Sequence, residues 1–524
     1  MSEAGTPREI IDFFLDPASY DHEVGEVVHR QTHVSHLFFA GDYVYKLKKP
    51  VDMGFLDFST LAKRRSAAVA EIKLNRRVAP DIYLDLVAVH RSDDGGLRFS
   101  SPTTVEEVAV LMRRLPDERR LSRLIERADA DAAMLRNLGR LIADFHRRAA
   151  SSPEIERFGS LETIRGNWEE NFAQTEPYID RTISRDAWMR CKEEIKRYMR
   201  VYADLFEQRV REGHIRDCHG DLQTDDTFID ETTGKVHVLD CIEFNERFRY
   251  SDTVSDIAFL SMDLRYRRAD QLAAALLDAY YEHGDDEPIP SLLRFYECYR
   301  AYVRGKVRSF VADQPEVSAE DRAAATQEAR RFFELSLADA LRLRPQLVIV
   351  SGLMGSGKTR QSEELARRLG ASVVHSDVVR KELAGIDPRD ERKVPFGEGI
   401  YSSDWTERTY RALIDQARSE LARGNSIVLD ASWSNPGYRA RAREAARERE
   451  ALFIIVECTA PDDVLRSRLR RPSRSITDGR LELLDDQRSA YRAPEREEAD
   501  RLVRVDTSGT FEEAADQAYQ GVLG

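Results

Sequence analysis

Residues 347–359 read Leu-Val-Ile-Val-Ser-Gly-Leu-Met-Gly-Ser-Gly-Lys-Thr. An apolar strand leads directly into the complete pattern G-x-x-x-x-G-K-[ST], and a helical stretch follows. A loop of this kind turns backbone N–H groups inward around a polyphosphate, here those of Gly352, Gly355, Ser356 and Gly357. Lys358 is placed to reach the β- and γ-phosphates, and the Thr359 hydroxyl to ligate Mg²⁺. The pattern also constrains the fold, because it needs a strand, a tight turn and a helix in that order. After Arg344-Pro345-Gln346, strands are predicted at 347–350, 372–374, 426–430 and 452–457, separated by helices. That alternation predicts a parallel sheet covered by helices. The third of these strands ends in Asp430, an acid able to hold Mg²⁺ through water or to organise the site.

The loop begins only at residue 352 of 524, so a larger region precedes it. Residues 25–115 read as short strands broken by one helix over 61–78, with a hairpin turning at Gly41-Asp42. Residues 116–343 are mostly helical and are interrupted by a hairpin over 214–240. The domains are therefore predicted at 1–115, 116–343 and 347–524. The net charge of −13 disfavours a general nucleic-acid-binding surface, which needs clustered Lys and Arg. Five scattered cysteines without a C-x-x-C pair predict a reducing compartment and neither disulfides nor a zinc site. No apolar run approaches the roughly 18 residues of a membrane span, and the N-terminus has no signal-peptide pattern. A cytoplasmic location is predicted, with no membrane partner. Oligomeric state is not encoded in any pattern found.

A second constellation lies upstream. His219-Gly-Asp221-Leu is followed by Asp226, a short hairpin turning at 232–234, and Asp240. Phosphoryl transfer to a hydroxyl needs one carboxylate to orient and deprotonate the acceptor, and other oxygens to hold Mg²⁺ on the ATP phosphates. The hairpin returns Asp240 to Asp221. Farther upstream, Lys46 ends a strand and Glu71 lies on the next helix, an arrangement suited to a phosphate-anchoring ion pair; Lys48 and Lys49 compete with Lys46 for that role. These runs, with Val44-Tyr-Lys-Leu-Lys-Lys-Pro-Val51 and Leu74-Asn-Arg-Arg-Val-Ala-Pro80, resemble the aminoglycoside phosphotransferase/choline kinase superfamily over about residues 25–340. The resemblance implies a two-lobed α+β kinase-like fold. It makes Asp221 the catalytic base, Asp226 and Asp240 the metal ligands, Lys46 and Glu71 the nucleotide-anchoring pair, and Asp256 a buried brace. Two positions depart from the family pattern: Gln223 stands where His is usual, and Asp226 where Asn is usual.

The stretch 347–524 resembles small-molecule P-loop kinases of the gluconate kinase and zeta-toxin type. The resemblance makes Asp377 the acceptor-side base and Arg380 an acceptor contact, and places Arg468 and Arg471 on a lid over the nucleotide. Asp377 also fits a plain helix cap, and the arginines a solvated helix face. The order of modules resembles bacterial proteins described as bifunctional aminoglycoside phosphotransferase/ATP-binding proteins. The implied activity is ATP- and Mg²⁺-dependent phosphoryl transfer to a hydroxyl of a small polar molecule. The alternative left open is one catalytic module with a nucleotide-sensing or degenerate partner.

Overall fold

The computed structural model describes residues 6–54, 56–99, 104–230, 233–315, 317–387, 399–470 and 481–523. It divides into two compact units. One comprises 1–189, 206–288 and 295–338, and the other 190–205, 289–294 and 339–524.

The first unit opens with an antiparallel sheet of β1 (Val27–Gln31), β2 (Ser35–Ala40), β3 (Tyr43–Lys48), β4 (Tyr83–Arg91), β5 (Leu97–Arg98) and β6 (Val105–Arg113), in the order β1-β2-β3-β6-β4-β5. The β2–β3 hairpin turns at Gly41-Asp42, where Gly41 adopts φ +57°. Side chains alternate along β3. Tyr45 and Leu47 pack with Ile10, Phe14 and Phe38 on one face. Val44 packs with Ala68 and Ile72 of helix Leu61–Asn75 on the other. Lys46 and Lys48 share Val44's face, which turns them towards Glu71 on that helix. Thr60 caps the helix through Lys63 N (3.3 Å). It ends at Asn75, short of the predicted 78: Arg77 N and Val78 N bond Leu74 O (3.2 Å) and Asn75 O (3.1 Å) in tighter turns, and Val78 and Ala79 are buried.

The helical part packs Ala132–Arg148, Thr253–Tyr266 and Asp270–His283 around one core. Residues 253–264 are all buried, so this helix is the centre of the layer. A hairpin of β8 (Thr227–Ile229) and β9 (Val236–Val238) inserts Ile229, Val236 and Val238 into the same core. A two-stranded ribbon of β7 (Ile215–Asp217) and β10 (Tyr250–Asp252) lies just before the His219-Gly220-Asp221 turn.

The second unit holds β11 (Gln346–Ser351), β12 (Ser372–His375), β13 (Ile427–Asp430), β14 (Leu452–Thr459) and β15 (Arg501–Asp506), all parallel in the order β12-β13-β11-β14-β15. Leu347 and Ile349 enter one core and Val348 and Val350 the other, so helices cover both faces. Strand β15 was not anticipated; exposed Arg504 and Asp506 alternate with buried Val503 and Val505 and hide a half-buried edge strand. Among the described residues no helix is long and apolar enough to cross a membrane. All five cysteines are buried, and none forms a disulfide.

Candidate active site

In the first unit the turn after β7 is held from below. Asp256, fully buried, accepts hydrogen bonds from His219 N (2.9 Å) and Gly220 N (2.8 Å) and contacts His146 Nε2 at 3.0 Å. These contacts keep its carboxyl well below the usual range although burial opposes ionisation. Gly220 has φ +87°, and a Cβ there would stand 2.8 Å from Phe248 O, so only glycine fits. The turn delivers Asp221 to a cavity of about 850 Å³ that Lys46, Asp226 and Asp240 also line.

Gln223 Nε2 donates to Asp221 Oδ1 at 2.5 Å. The amide is fixed in that sense because its Oε1 accepts from Arg304 Nη1. Burial pushes Asp221 up to about 6; Arg304 opposes this and Asp240 adds to it. Asp226 leaves the short helix 224–226 and heads the hairpin, whose far strand returns the chain so that Leu239 N bonds Asp226 O (2.9 Å). Asp240 follows with φ +66°, a conformation held by Asp240 N on Tyr83 Oη (3.1 Å) and by Cys241 N on Asn75 Oδ1 (2.9 Å). The three carboxylates thus meet in one place. Burial, then Asp240 and Asp221, raise Asp226 well above the carboxylate range, whereas Lys46 lowers Asp240.

Both β3 lysines converge on Glu71, which has no exposed surface. Lys46 Nζ lies 2.8 Å from Oε1 and Lys48 Nζ 2.7 Å from Oε2. Only Lys46 also reaches Asp240 (2.5 Å); Lys48 pairs with Glu243. Lys49 turns away to Gln31 Oε1 (3.0 Å) and Thr32 O (2.7 Å). Lys48, named with Lys49 as a competitor of Lys46, thus shares Glu71 with it; Glu243 and Arg304 were not among the expected site residues. The period-2 pattern of β3 puts Lys48 on the face of Lys46, but no local signal marks Arg304, 81 residues from Gln223.

In the second unit the loop after β11 is shaped by its glycines. Gly352 has φ +142°, and a Cβ there would stand 2.4 Å from Cys458 O; Gly355 and Gly357 adopt φ +78° and +82°. Ser356 Oγ is buried without a partner among the described residues. Lys358 Nζ donates to Leu353 O (2.9 Å), and Met354 N to Gln487 Oε1 (2.7 Å). Thr359 Oγ1 donates to Asp430 Oδ2 (2.8 Å), which also contacts His375 Nδ1 (2.9 Å). Burial works against a charged His375, but Asp430 and more distant acids outweigh it and raise its pKa. A glycine cradle with an orphaned hydroxyl, followed by Lys358 and by Thr359 on Asp430, fits a polyphosphate with a hard divalent cation.

Asp377 lies in the first turn of helix Ser376–Leu383, whose cap is His375, so Asp377 is not itself the cap residue. Arg380 is buried, its Nη1 on Ile400 O (2.8 Å) and Thr406 Oγ1 (3.3 Å). Arg468 is not a solvated face residue. It braces the loop from behind, donating to Gly355 O (3.2 Å) and to Thr507 Oγ1 (3.1 Å) and O (2.5 Å). Arg471 lies outside the described residues. Gln487 and Thr507, which complete the loop's surroundings, were not anticipated.

Fold and sites together define a phosphotransferase built from two kinase-type modules. Residues 54–293 match the phosphotransferase enzyme family, and residues 347–494 match an AAA domain family. An uncharacterized protein of Mycobacterium tuberculosis is 31% identical over 492 residues, 94% of each chain, and one from Mycobacterium bovis matches equally. The chain belongs to the family of these mycobacterial proteins, and in it the phosphotransferase-family match precedes a P-loop domain. Among solved structures, a choline/ethanolamine kinase family protein from Mesorhizobium loti is 13% identical with TM-score 0.37, covering 63% of this chain and 99% of that one. A gluconokinase from Sinorhizobium meliloti is 22% identical with TM-score 0.26, covering 34% and 92%.

Proposed function

We propose that each module transfers the γ-phosphoryl group of ATP, with Mg²⁺, to a hydroxyl of a small polar molecule in the cytoplasm. The observation that carries this reading is the meeting of Asp221, Asp226 and Asp240 in one cavity with the Lys46–Glu71 pair. The proposal takes 1–115 and 116–343 as the two lobes of the first module and 347–524 as the second. Buried cysteines outside any disulfide suit the reducing cytoplasm.

In the first module Asp221 orients the acceptor hydroxyl and takes its proton. The acceptor oxygen forms the new O–P bond, the bond between the γ-phosphorus and its bridging oxygen breaks, and the electron pair leaves with ADP. A carboxylate raised to about 6 can accept that proton and return it to water near neutrality. Gln223, locked by Arg304, holds the Asp221 carboxylate in place. Lys46 steadies the phosphates while Glu71 keeps it oriented. Asp226 and Asp240 would hold the divalent cation, which supplies neutralising charge to the polyphosphate. In the second module Lys358 and the loop amides hold the phosphates, and Thr359 with Asp430 would hold the cation. Asp377 is the candidate base, with Arg380 on the acceptor side.

The test is ADP release by the full-length protein with ATP·Mg²⁺ across a panel of hydroxylated metabolites. Asp221→Asn and Lys358→Ala are measured separately. Acceptor-dependent activity lost in one variant assigns that acceptor to that module. Activity that survives both substitutions together would exclude both assignments.

A further inference from the structure

The acceptor wall of the N-terminal cavity is formed by helices Leu161–Thr175 and Pro290–Ala312 and by the segment around Arg247. The second of these helices brings three cations to it. Arg300 donates to Ser255 O and Gly220 O, both at 3.0 Å. Arg304 donates to Gln223 Oε1. Lys306 Nζ donates to Asn171 Oδ1 (2.7 Å) and Gln174 Oε1 (2.8 Å). All of these acceptors are neutral oxygens.

Arg300 and Arg304 also face the single Asp221 carboxylate, whose ionised form both favour. The other charges on this wall are matched. Arg247 pairs with Glu170, and Asp252 with Arg209 at 2.7 Å. The wall therefore carries an excess of positive charge in a partly desolvated place, which a bound anion would relieve. Burial pushes the Lys306 ammonium down to about 8; Glu170 resists this and Arg247 adds to it. A separate observation points to an absent hydrogen-bond acceptor. Trp168 lines the cavity, is fully buried, and its Nε1–H has no partner among the described residues. Apolar side chains share the wall with the amides Asn167, Asn171 and Gln174, and Phe248, Val307 and Phe310 stay exposed at 38%, 43% and 36%.

We infer that the acceptor of the N-terminal site is an organic anion, a hydroxylated molecule with an apolar body and an acidic group received beside Lys306. This rests on reading the cavity as the acceptor site of Asp221. It argues against a polycationic amino sugar, whose ammonium groups would meet Lys306, hydrogen-bonded only to amide oxygens, with Arg300 and Arg304 on the same helix.

The test uses full-length protein without ATP, so that binding is read apart from catalysis. Isothermal titration compares 4-hydroxyphenylacetate and phenyl phosphate with neutral 4-hydroxyphenylethanol and cationic tyramine. At least one anion is expected to bind about tenfold more tightly than the neutral and cationic probes, the scale of one charge-assisted hydrogen bond. Lys306→Met should erase that preference and Lys306→Arg restore it. Tighter or equal binding of tyramine, no binding of either anion at millimolar concentration, or a preference unchanged in Lys306→Met would overturn the inference. The wild-type series decides the matter even should a variant fail to fold. Anion binding lost in Lys306→Met, with no phosphorylation of any alcohol, would support the inference while removing the catalytic reading.

Discussion

Asp256 and Asp226 are both buried acids, yet their surroundings drive them in opposite directions. Asp256 receives two backbone N–H groups and His146, and is depressed. A depressed carboxyl contributes stability that is complete above its unfolded value, about pH 4, and is lost as pH falls towards its folded value. Asp256→Ala should therefore cost about 3 kcal/mol or more at pH 7, where His146 and two amides lose their acceptor, and less at pH 3. Denaturant melts of the full-length protein at both pH values check this. Asp226 is raised by burial and by its acidic neighbours. Its contribution has the other sign, being favourable below about pH 4 and lost as pH rises towards the folded value. Asp226→Asn should raise the metal-free melting temperature at pH 7.5 more than at pH 5, and shrink the stabilisation given by Mg²⁺. An unchanged melting temperature and Mg²⁺ response would place Asp226 outside the cation site. Asp221→Asn should lower acceptor phosphorylation by about 10²–10⁴-fold with little change in ATP affinity, measured by steady-state kinetics and titration.

At the scale of elements, the phosphate loop makes the sharpest prediction. Gly352→Ala would drive a methyl group to 2.4 Å from Cys458 O and distort the turn. Lys358→Ala removes only a side chain that reaches Leu353 O. Titration with ATP·Mg²⁺ should show nucleotide binding at this site lost in both variants. Calorimetry should show a lower melting temperature in Gly352→Ala alone. This loop was legible because its chemistry sits in consecutive residues between a strand and a helix. The β8–β9 hairpin was legible for a related reason, since a short turn returns Asp240 to Asp221. The contacts of Arg304, Gln487 and Thr507 were not legible. Each depends on which distant segment packs beside the site, and amphipathic periodicity names a buried face without naming what covers it. Strand β15 was missed because charges on its exposed face broke up the apolar pattern used to find its neighbours.

For the molecule as a whole, the second unit gathers three separated stretches of chain. Arg200 pairs with Glu450 (2.6 Å), Arg449 with Asp204 (3.2 Å), and Ser291 Oγ donates to Arg423 O (2.6 Å). A Cβ at Gly424 would stand 2.5 Å from Ser291 Oγ, so the backbones approach closely there. A fragment spanning 345–524 keeps all five strands of the parallel sheet but lacks these partners. It should melt several degrees below the same unit in the full-length chain, by calorimetry. An equal melting temperature would show that the outlying segments contribute nothing.

The same threading sets an order of events at the ribosome. Residues 190–205 and 289–294 emerge well before the strands they join. At cellular elongation rates they wait roughly ten to fifty seconds for the C-terminal half to appear. Through that interval the nascent chain carries a helix and a helix start without the C-terminal partners they finally join. Synthesis from one end supplies all of the first unit by residue 338, whereas the second stays open until the last stretch translated closes a structure whose first pieces were laid down hundreds of residues earlier.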